Sequence, residues 1–341
     1  MTSEVGDTLT REYSQRLGVL TREQLQAALD RFQLGALIDA QSAPGGLFGQ
    51  NVLLETMAGR WVLRGAPHYA GQFEKERFFS RLIHERTRAN APWPFHIEKS
   101  PDLFGWSYAL MPQLPGEQLS APAVAESLTP HDRVEIARAM GEHLAIMQEA
   151  TWPAPATYDH AADDLSEIET PFADWFIGKT REWLAQAMQA SGTMTSDDIA
   201  WIESIIKEGK DVLAVPFAPS IVHTDYAEGN IVAERTDTDW RVTGVFDLGE
   251  SYIGDGEYDF ARLLCWYGLQ KNGELAAFVG GYTRARPLRA DAARRQALYI
   301  LHDRLILWEY GQRNGIWFKP GVTFRQFADR FVAQALLLEP E

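Results

Sequence analysis

Two neighbouring runs constrain this chain more than any other feature: His223-Thr224-Asp225-Tyr226-Ala227-Glu228-Gly229-Asn230, then Val245-Phe246-Asp247-Leu248-Gly249. They set out an Asp, an Asn five residues later, and a second Asp at the end of an apolar run. Pro219-Ser220-Ile221-Val222 leads in as a short strand. Ile231-Val232-Ala233 leaves, and Val242-Thr243-Gly244-Val245-Phe246 returns as the second arm of a hairpin. Asp225, Asn230 and Asp247 are therefore expected at loop or strand ends on one side of a small sheet. An Asp so placed can accept the proton of an attacking hydroxyl, and an Asn with an Asp offers hard oxygen ligands for Mg²⁺. Asp and Asn are also common turn formers, so two ordinary surface turns would account for the residue types alone. The order, the gap and the strand-like flanks favour a site.

This order matches the kinase catalytic loop H-x-D-x-x-x-x-N followed by D-x-G. The continuation Gly254-Asp255-Gly256-Glu257-Tyr258-Asp259-Phe260-Ala261 is similar to a G-D-x-x-Y-D-x-A tail. With it, Val222–Leu264 resembles the aminoglycoside phosphotransferase family, small-molecule kinases on a protein-kinase-like fold. No A-P-E motif or Ser/Thr-rich activation segment follows Gly249, which favours a small-molecule kinase over a protein kinase. The resemblance implies that Asp225 orients and deprotonates an acceptor hydroxyl. It implies that Asn230 and Asp247 hold Mg²⁺ at the phosphates of ATP or GTP, and that His223 braces the loop. Asp255 reads as the N-cap of a helix through Phe260, Leu263 and Leu264, and capping is the role expected of Asp255 and Asp259.

Composition narrows the class. At 341 residues the chain is long enough for two lobes with their own cores. No apolar run approaches the ~20 residues that span a bilayer, and the acidic start Met1-Thr2-Ser3-Glu4-Val5-Gly6-Asp7 has no apolar signal region. A cytoplasmic enzyme without a membrane partner is expected. The lone Cys265 excludes an intrachain disulfide and a cysteine-based metal site. A formal charge of −15 argues against nucleic acid as partner. It suits a cationic small molecule, although solubilising acidity explains the same number.

The N-terminal part reads as a mainly β lobe. Thr21, with Gln24 three residues on, caps a helix whose apolar stripe is Leu25, Ala28, Leu29 and Phe32. Strand-like runs follow at 36–40, 52–57 and 61–64. Between the first two lies a Gly-rich tip, with Gly45, Gly46, Phe48 and Gly49, where backbone N–H groups could approach nucleotide phosphates. The third strand ends on Arg64, where kinases carry a phosphate-pairing lysine. Arginine occurs there in phosphotransferases resembling the hygromycin-modifying branch, and it keeps the charge while changing the geometry. A strand-end arginine with its stem laid on the lobe is the plainer account. Residues 72–83 read as a helix on which Glu76 shares a face with Phe79 and Ile83, making Glu76 the expected partner of Arg64 and Glu74 the alternative.

Residues 106–111 read as the last strand of the small lobe, and Pro112-Gln113-Leu114-Pro115-Gly116 as the hinge. The resemblance implies that the Pro112 carbonyl and the Leu114 N–H hold the base of the nucleotide; an ordinary Pro/Gly linker fits as well. Thr129-Pro130 opens a long helix. The acidic, Trp-containing stretch after Trp152, with Asp163 and Asp164, is expected as a helical addition at the acceptor site, and Glu250 beside Gly249 is a further candidate contact to the acceptor. An exposed acidic helix serving only solubility is the alternative.

The sequence thus predicts a two-lobed, protein-kinase-like α+β fold, with a nucleotide-binding lobe over 1–112 and a catalytic, substrate-binding lobe over 113–341. The expected activity is nucleotide- and Mg²⁺-dependent O-phosphorylation of an aminoglycoside or aminocyclitol. A macrolide, amino sugar or choline-like acceptor, or a catalytically silent binding protein, stand as alternatives.

Overall fold

A computed structural model describes residues 10–43, 49–237, 239–270 and 272–339. The chain forms two compact units, neither of them continuous. The first comprises 1–128, 159–164 and 228–251, the second 129–158, 165–227 and 252–341. The first unit thus runs past residue 112 and recruits two later segments.

In the first unit, strands β1 (Arg11–Ser14) and β2 (Gly18–Leu20) form a small hairpin. Helix α1 (Arg22–Asp30) follows with the anticipated capping box. Thr21 accepts the Gln24 N–H, and the Gln24 side chain accepts the Thr21 N–H, an arrangement that stabilises a helix end by about 1 kcal/mol. Strands β3 (Leu37–Ser42), β4 (Asn51–Thr56) and β5 (Gly59–Gly65) then run as an antiparallel meander. Helix α2 (Gln72–Arg86) is followed by β6 (His96–Glu98) and β7 (Tyr108–Pro112), completing the sheet order β3-β4-β5-β7-β6. Strand period sends Ala40, Val52, Leu54, Leu63, Tyr108 and Leu110 to one core, where they meet Leu25, Ala28 and Leu29 of α1. Strand β8 (Glu117–Gln118) and helix α3 (Pro122–Ser127) end this stretch.

In the second unit, helix α4 (Pro130–Met147) carries Pro at its first position and a Thr129–Asp132 capping box. Next come β9 (Ala156–Asp159) and β10 (Asp164–Glu167), then the long helices α5 (Phe172–Ala190) and α6 (Ser196–Leu213). The acidic residues after Trp152 therefore sit mostly on a β-hairpin and its turn. The helical addition expected there begins only at Phe172. Tyr158, Leu165 and Ile168, at alternating or strand-end positions, carry the apolar signal that a helical reading overlooks.

Strand β11 (Ser220–Val222) joins the second unit. The hairpin β12 (Ile231–Arg235) and β13 (Trp240–Val245) belongs to the first, where Val232 pairs with Gln118 of β8. Strand β14 (Tyr252–Gly254) returns to pair with β11 and β9. Helices α7 (Phe260–Gln270), α8 (Glu274–Thr283), α9 (Ala292–Arg313) and α10 (Phe324–Val332) finish the second unit. Its core gathers Phe176, Leu264, Leu298, Tyr299, Leu301 and Trp308. Helices α4 and α8 cross at glycines. A Cβ on Gly141 would lie 2.1 Å from the Phe278 carbonyl, and one on Gly281 would lie 2.3 Å from that of Arg138. Among the described residues no helix is long and apolar enough to cross a membrane.

Candidate active site

The first unit brings Arg64, Glu76 and Asp247 together. Arg64 stands near the end of β5 and Glu76 on the inward face of α2, both buried. The Arg64 Nη2 lies 3.1 Å from Glu76 Oε1 and 2.9 Å from Asp247 Oδ1. Gln72 Nε2, one turn before Glu76, donates to the same Glu76 oxygen at 3.1 Å. Glu74 instead pairs with Lys99 at 2.6 Å, so the helical face that sequence periodicity picks out for Glu76 is the one that meets Arg64. Burial dominates the Glu76 carboxyl and pushes it up to about 7, against the pull of Arg64. Burial would lower Arg64, but Glu76 and Asp247 more than reverse that and raise it.

Glu76 yields a pH prediction. Its folded value lies above the ordinary carboxylate value of 4.5, so between about 4.5 and about 7 the native state holds a proton that the unfolded chain has released. This group's contribution to stability is present below that window and lost as pH rises through it. The nucleotide-free protein should therefore lose urea resistance from pH 5 to pH 8 more steeply than a Glu76→Gln variant. Parallel profiles for the two proteins would contradict the shift.

A single guanidinium shared by two carboxylates leaves the cluster one positive charge short when both are ionised. Asp247 is the partner with solvent access, its side chain 42% exposed. Its φ of +67° is left-handed, a conformation uncommon outside glycine and concentrated at functional sites. Asn230 ends a 3-10 turn, Glu228–Asn230, and its carbonyl accepts the Phe246 N–H at 3.1 Å. The hairpin thus sets Asn230 beside the residue that precedes Asp247. One carboxylate and one amide oxygen in a region short of positive charge suit Mg²⁺, which binds proteins through few ligands and keeps waters and phosphate oxygens. Arg64 Nε, buried and without a partner among the described residues, is a donor that a phosphate oxygen would satisfy.

Gly249 closes this region. A Cβ there would stand 3.1 Å from Glu76 Oε1 and 3.3 Å from the Tyr69 hydroxyl. That hydroxyl has two acceptors to choose from, the Gly249 carbonyl at 2.9 Å and Glu250 Oε1 at 3.1 Å. Burial, then the Glu250 carboxylate, raise the Tyr69 phenol, so it stays a donor.

Asp225 belongs to the second unit, on the loop after β11. Thr224 is left-handed, with φ +74°, and the backbone on either side of that twist is held by one buried carboxylate. Asp259 accepts the His223 N–H at 2.9 Å on Oδ2 and the Thr224 N–H at 2.8 Å on Oδ1. Burial pushes the Asp259 carboxyl up to about 6, opposed by His223 and by these N–H groups. The Asp225 N–H donates to His223 Nδ1 at 3.2 Å, so His223, fully buried, does brace the loop. The Tyr226 hydroxyl donates to the Met140 carbonyl at 3.0 Å and meets His143 Nδ1 at 2.9 Å. With the hydroxyl proton committed, the network assigns the His143 proton to Nδ1. Burial pushes His143 down to about 4, which keeps it neutral.

The Asp225 carboxylate is itself paired. Arg262 Nη1 lies 2.8 Å from its Oδ1, and Arg262 Nε lies 2.8 Å from Asp303 Oδ1. Arg262 and Asp303 are absent from the sequence reading, and Asp259 enters it only as a helix cap. Asp255 does cap the turn, accepting the Glu257 N–H at 3.1 Å, but it is buried against Arg289 and Tyr299 as well.

The remaining candidates are spread more widely. Gly45, Gly46 and Phe48 lie outside the described residues. Gly49 has φ +54°, and its carbonyl accepts the Ser14 hydroxyl at 2.6 Å. Pro112 ends β7 opposite Trp61, and Leu114 packs on Gly244. Asp163, at φ +50°, pairs with Arg77 at 3.0 Å. Asp164 opens β10 and is exposed, as is Glu250.

Comparison with known proteins places the chain in a family. A model of the phosphotransferase enzyme family matches residues 39–298, and the chain belongs to that family. The homoserine kinase of Methylobacillus glycogenes is 26% identical over 279 residues, 79% of this chain and 78% of that protein. A solved structure from Ralstonia eutropha JMP134, assigned as an aminoglycoside phosphotransferase, matches 93% of this chain and 99% of its own. Its TM-score is 0.63 and its identity 19%. A thermostable mutant of the aminoglycoside phosphotransferase APH(4)-Ia, in ternary complex with ADP and hygromycin B, matches 93% and 100%, with TM-score 0.62 and 16% identity. The fold is a kinase-like α+β fold, and the protein is a phosphotransferase of the small-molecule kinase kind.

Proposed function

We propose that this kinase transfers the γ-phosphoryl group of ATP or GTP, with Mg²⁺, to a hydroxyl of an amine-bearing small molecule, foremost an aminoglycoside or aminocyclitol. The observation that carries the reading is the Arg64–Glu76–Asp247 cluster, with Asn230 set beside it by the β12–β13 hairpin. In this account Arg64, held by Glu76, binds phosphate oxygens, and the Pro112–Leu114 stretch and the Gly45–Gly49 tip hold the nucleotide. Residues 1–112 thereby supply most of the nucleotide-binding lobe and 113–341 the catalytic and acceptor parts. Asn230 and Asp247 hold Mg²⁺, which when bound neutralises charge on the phosphates. Asp225 orients the acceptor hydroxyl and takes its proton, a role that is chiefly positioning in a reaction with a loose transition state.

A cationic acceptor is supported by the charge of −15 and by the exposed Asp164 and Glu250. Asp163 contributes less directly, since Arg77 already pairs with it. Such attraction is screened by salt. The KM for hygromycin B should rise several-fold between about 0.05 and 0.5 M NaCl while nucleotide affinity moves less. Neutralising Asp163 and Asp164 together should raise that KM with little change in kcat. A salt-insensitive KM would remove the electrostatic argument.

A second reading, a small hydroxy-amino acid as acceptor, is favoured by the likeness to a homoserine kinase. ATP and GTP turnover should be measured against hygromycin B, kanamycin, L-homoserine, choline and a macrolide. Fastest turnover of an aminoglycoside supports the first reading and fastest turnover of L-homoserine the second. Nucleotide binding without turnover of any compound would point to a silent binding protein.

A further inference from the structure

We propose that Arg262 is a positioning residue for phosphoryl transfer, fixing the Asp225 carboxylate against a buried anchor, Asp303. The inference rests on the reading of Asp225 as the group that orients the acceptor hydroxyl. Asp225 is on a loop, with its side chain 42% exposed, and a loop carboxylate left to itself samples several rotamers. Arg262 restricts it through a planar fork. One arm, Nη1, holds Asp225 Oδ1 at 2.8 Å, and Nε holds Asp303 Oδ1 at 2.8 Å.

The anchor end is rigid. Asp303 is 1% exposed on α9, in the middle of the helical core, and its second oxygen is taken by Arg304. Burial would raise Asp303, but Arg262 and Arg304 together hold it below the ordinary carboxylate range, so it stays an anion. Two carboxylates and two guanidinium groups then balance, which keeps the array from being a buried net charge. A lysine at 262 would supply charge at a single point, whereas the fork ties two carboxylates at a set separation.

The same short segment grips the loop twice. Asp259 receives the His223 and Thr224 backbone N–H groups, and Arg262, three residues on, takes the Asp225 side chain. The backbone leading into the base and the side chain of the base are therefore both referred to the start of helix α7. Transfer that depends on a near-attack geometry responds to sub-ångström displacement of such a group.

The test uses Arg262→Ala, Arg262→Lys and Asp225→Asn in the full chain, assayed with hygromycin B, with L-homoserine and, with water as acceptor, by MgATP hydrolysis. Arg262→Ala should lower kcat by about 30-fold or more. Nucleotide Kd and acceptor KM should stay within about 3-fold, because neither ligand's uniform binding has been touched. Added guanidinium chloride at millimolar concentration should restore part of the Arg262→Ala rate and none of the Asp225→Asn rate, and Arg262→Lys should fall between wild type and Ala. Arg262→Ala turnover within about 3-fold of wild type, alongside an inactive Asp225→Asn, would overturn this proposal and leave the role of Asp225 standing. Full turnover by Asp225→Asn would overturn that role itself. Loss of nucleotide affinity in parallel with kcat, with no guanidinium rescue, would make Arg262 a merely structural residue and also overturn the proposal.

Discussion

Asp225→Asn is expected to lower kcat by about two orders of magnitude or more while nucleotide affinity stays close to wild type. The amide keeps the size of the side chain and its place between the loop and Arg262, but it cannot take a proton. Because Asp259 and His223 hold the loop backbone, the substitution should not spread to the fold. Steady-state turnover with the acceptor found in the panel, next to calorimetric titration with ADP, checks both halves. Turnover within a few-fold of wild type would remove Asp225 from the chemistry.

The second large effect belongs to Asp247. Asp247→Ala should abolish Mg²⁺-dependent nucleotide binding, a loss of about 100-fold or more in affinity, since it deletes the one charged ligand proposed for the ion. It also leaves Arg64 paired with Glu76 alone of the two carboxylates, which removes negative charge from the place where the ion would sit. Asn230→Ala removes a neutral oxygen and should damage turnover more than binding. Titrations with and without Mg²⁺ separate the two variants; small, equal effects on both would contradict the assignment.

Much of the fold was legible because it follows from local rules. The Thr21–Gln24 and Thr129-Pro130 caps mark helix starts that α1 and α4 reproduce. The strand-like runs at 52–57 and 61–64 correspond to β4 and β5. The period of α2 selects Glu76 over Glu74. Helical geometry alone decides that, and Lys99 occupying Glu74 is its counterpart. The strands β1, β2, β6 and β8 are too short for any period to emerge.

The acidic hairpin at 156–167 was hidden by an expectation of helix that its own apolar positions do not support. Arg262 and Asp303 were hidden for a different reason. An ion pair spanning 41 residues leaves no periodic trace, and an arginine on an amphipathic helix reads as surface. Asp259 reads as a cap, because capping is the commonest work of an Asp near a helix start, and only the positions of the His223 and Thr224 N–H groups show that its carboxylate faces the other way.

The discontinuity of both units bears on how such a protein can be divided or recombined. A cut after residue 128 would strip the first unit of Ile231–Arg235 and Trp240–Val245, and with them the partner of Gln118 and the residues Asn230 and Asp247. Neither unit can be encoded as a single uninterrupted gene segment. Exchange between relatives at one crossover point between Gln118 and Val232 will therefore join halves of different ancestry inside the same sheet. Chimaeras that keep each unit whole need matched replacements at 159–164 and 228–251.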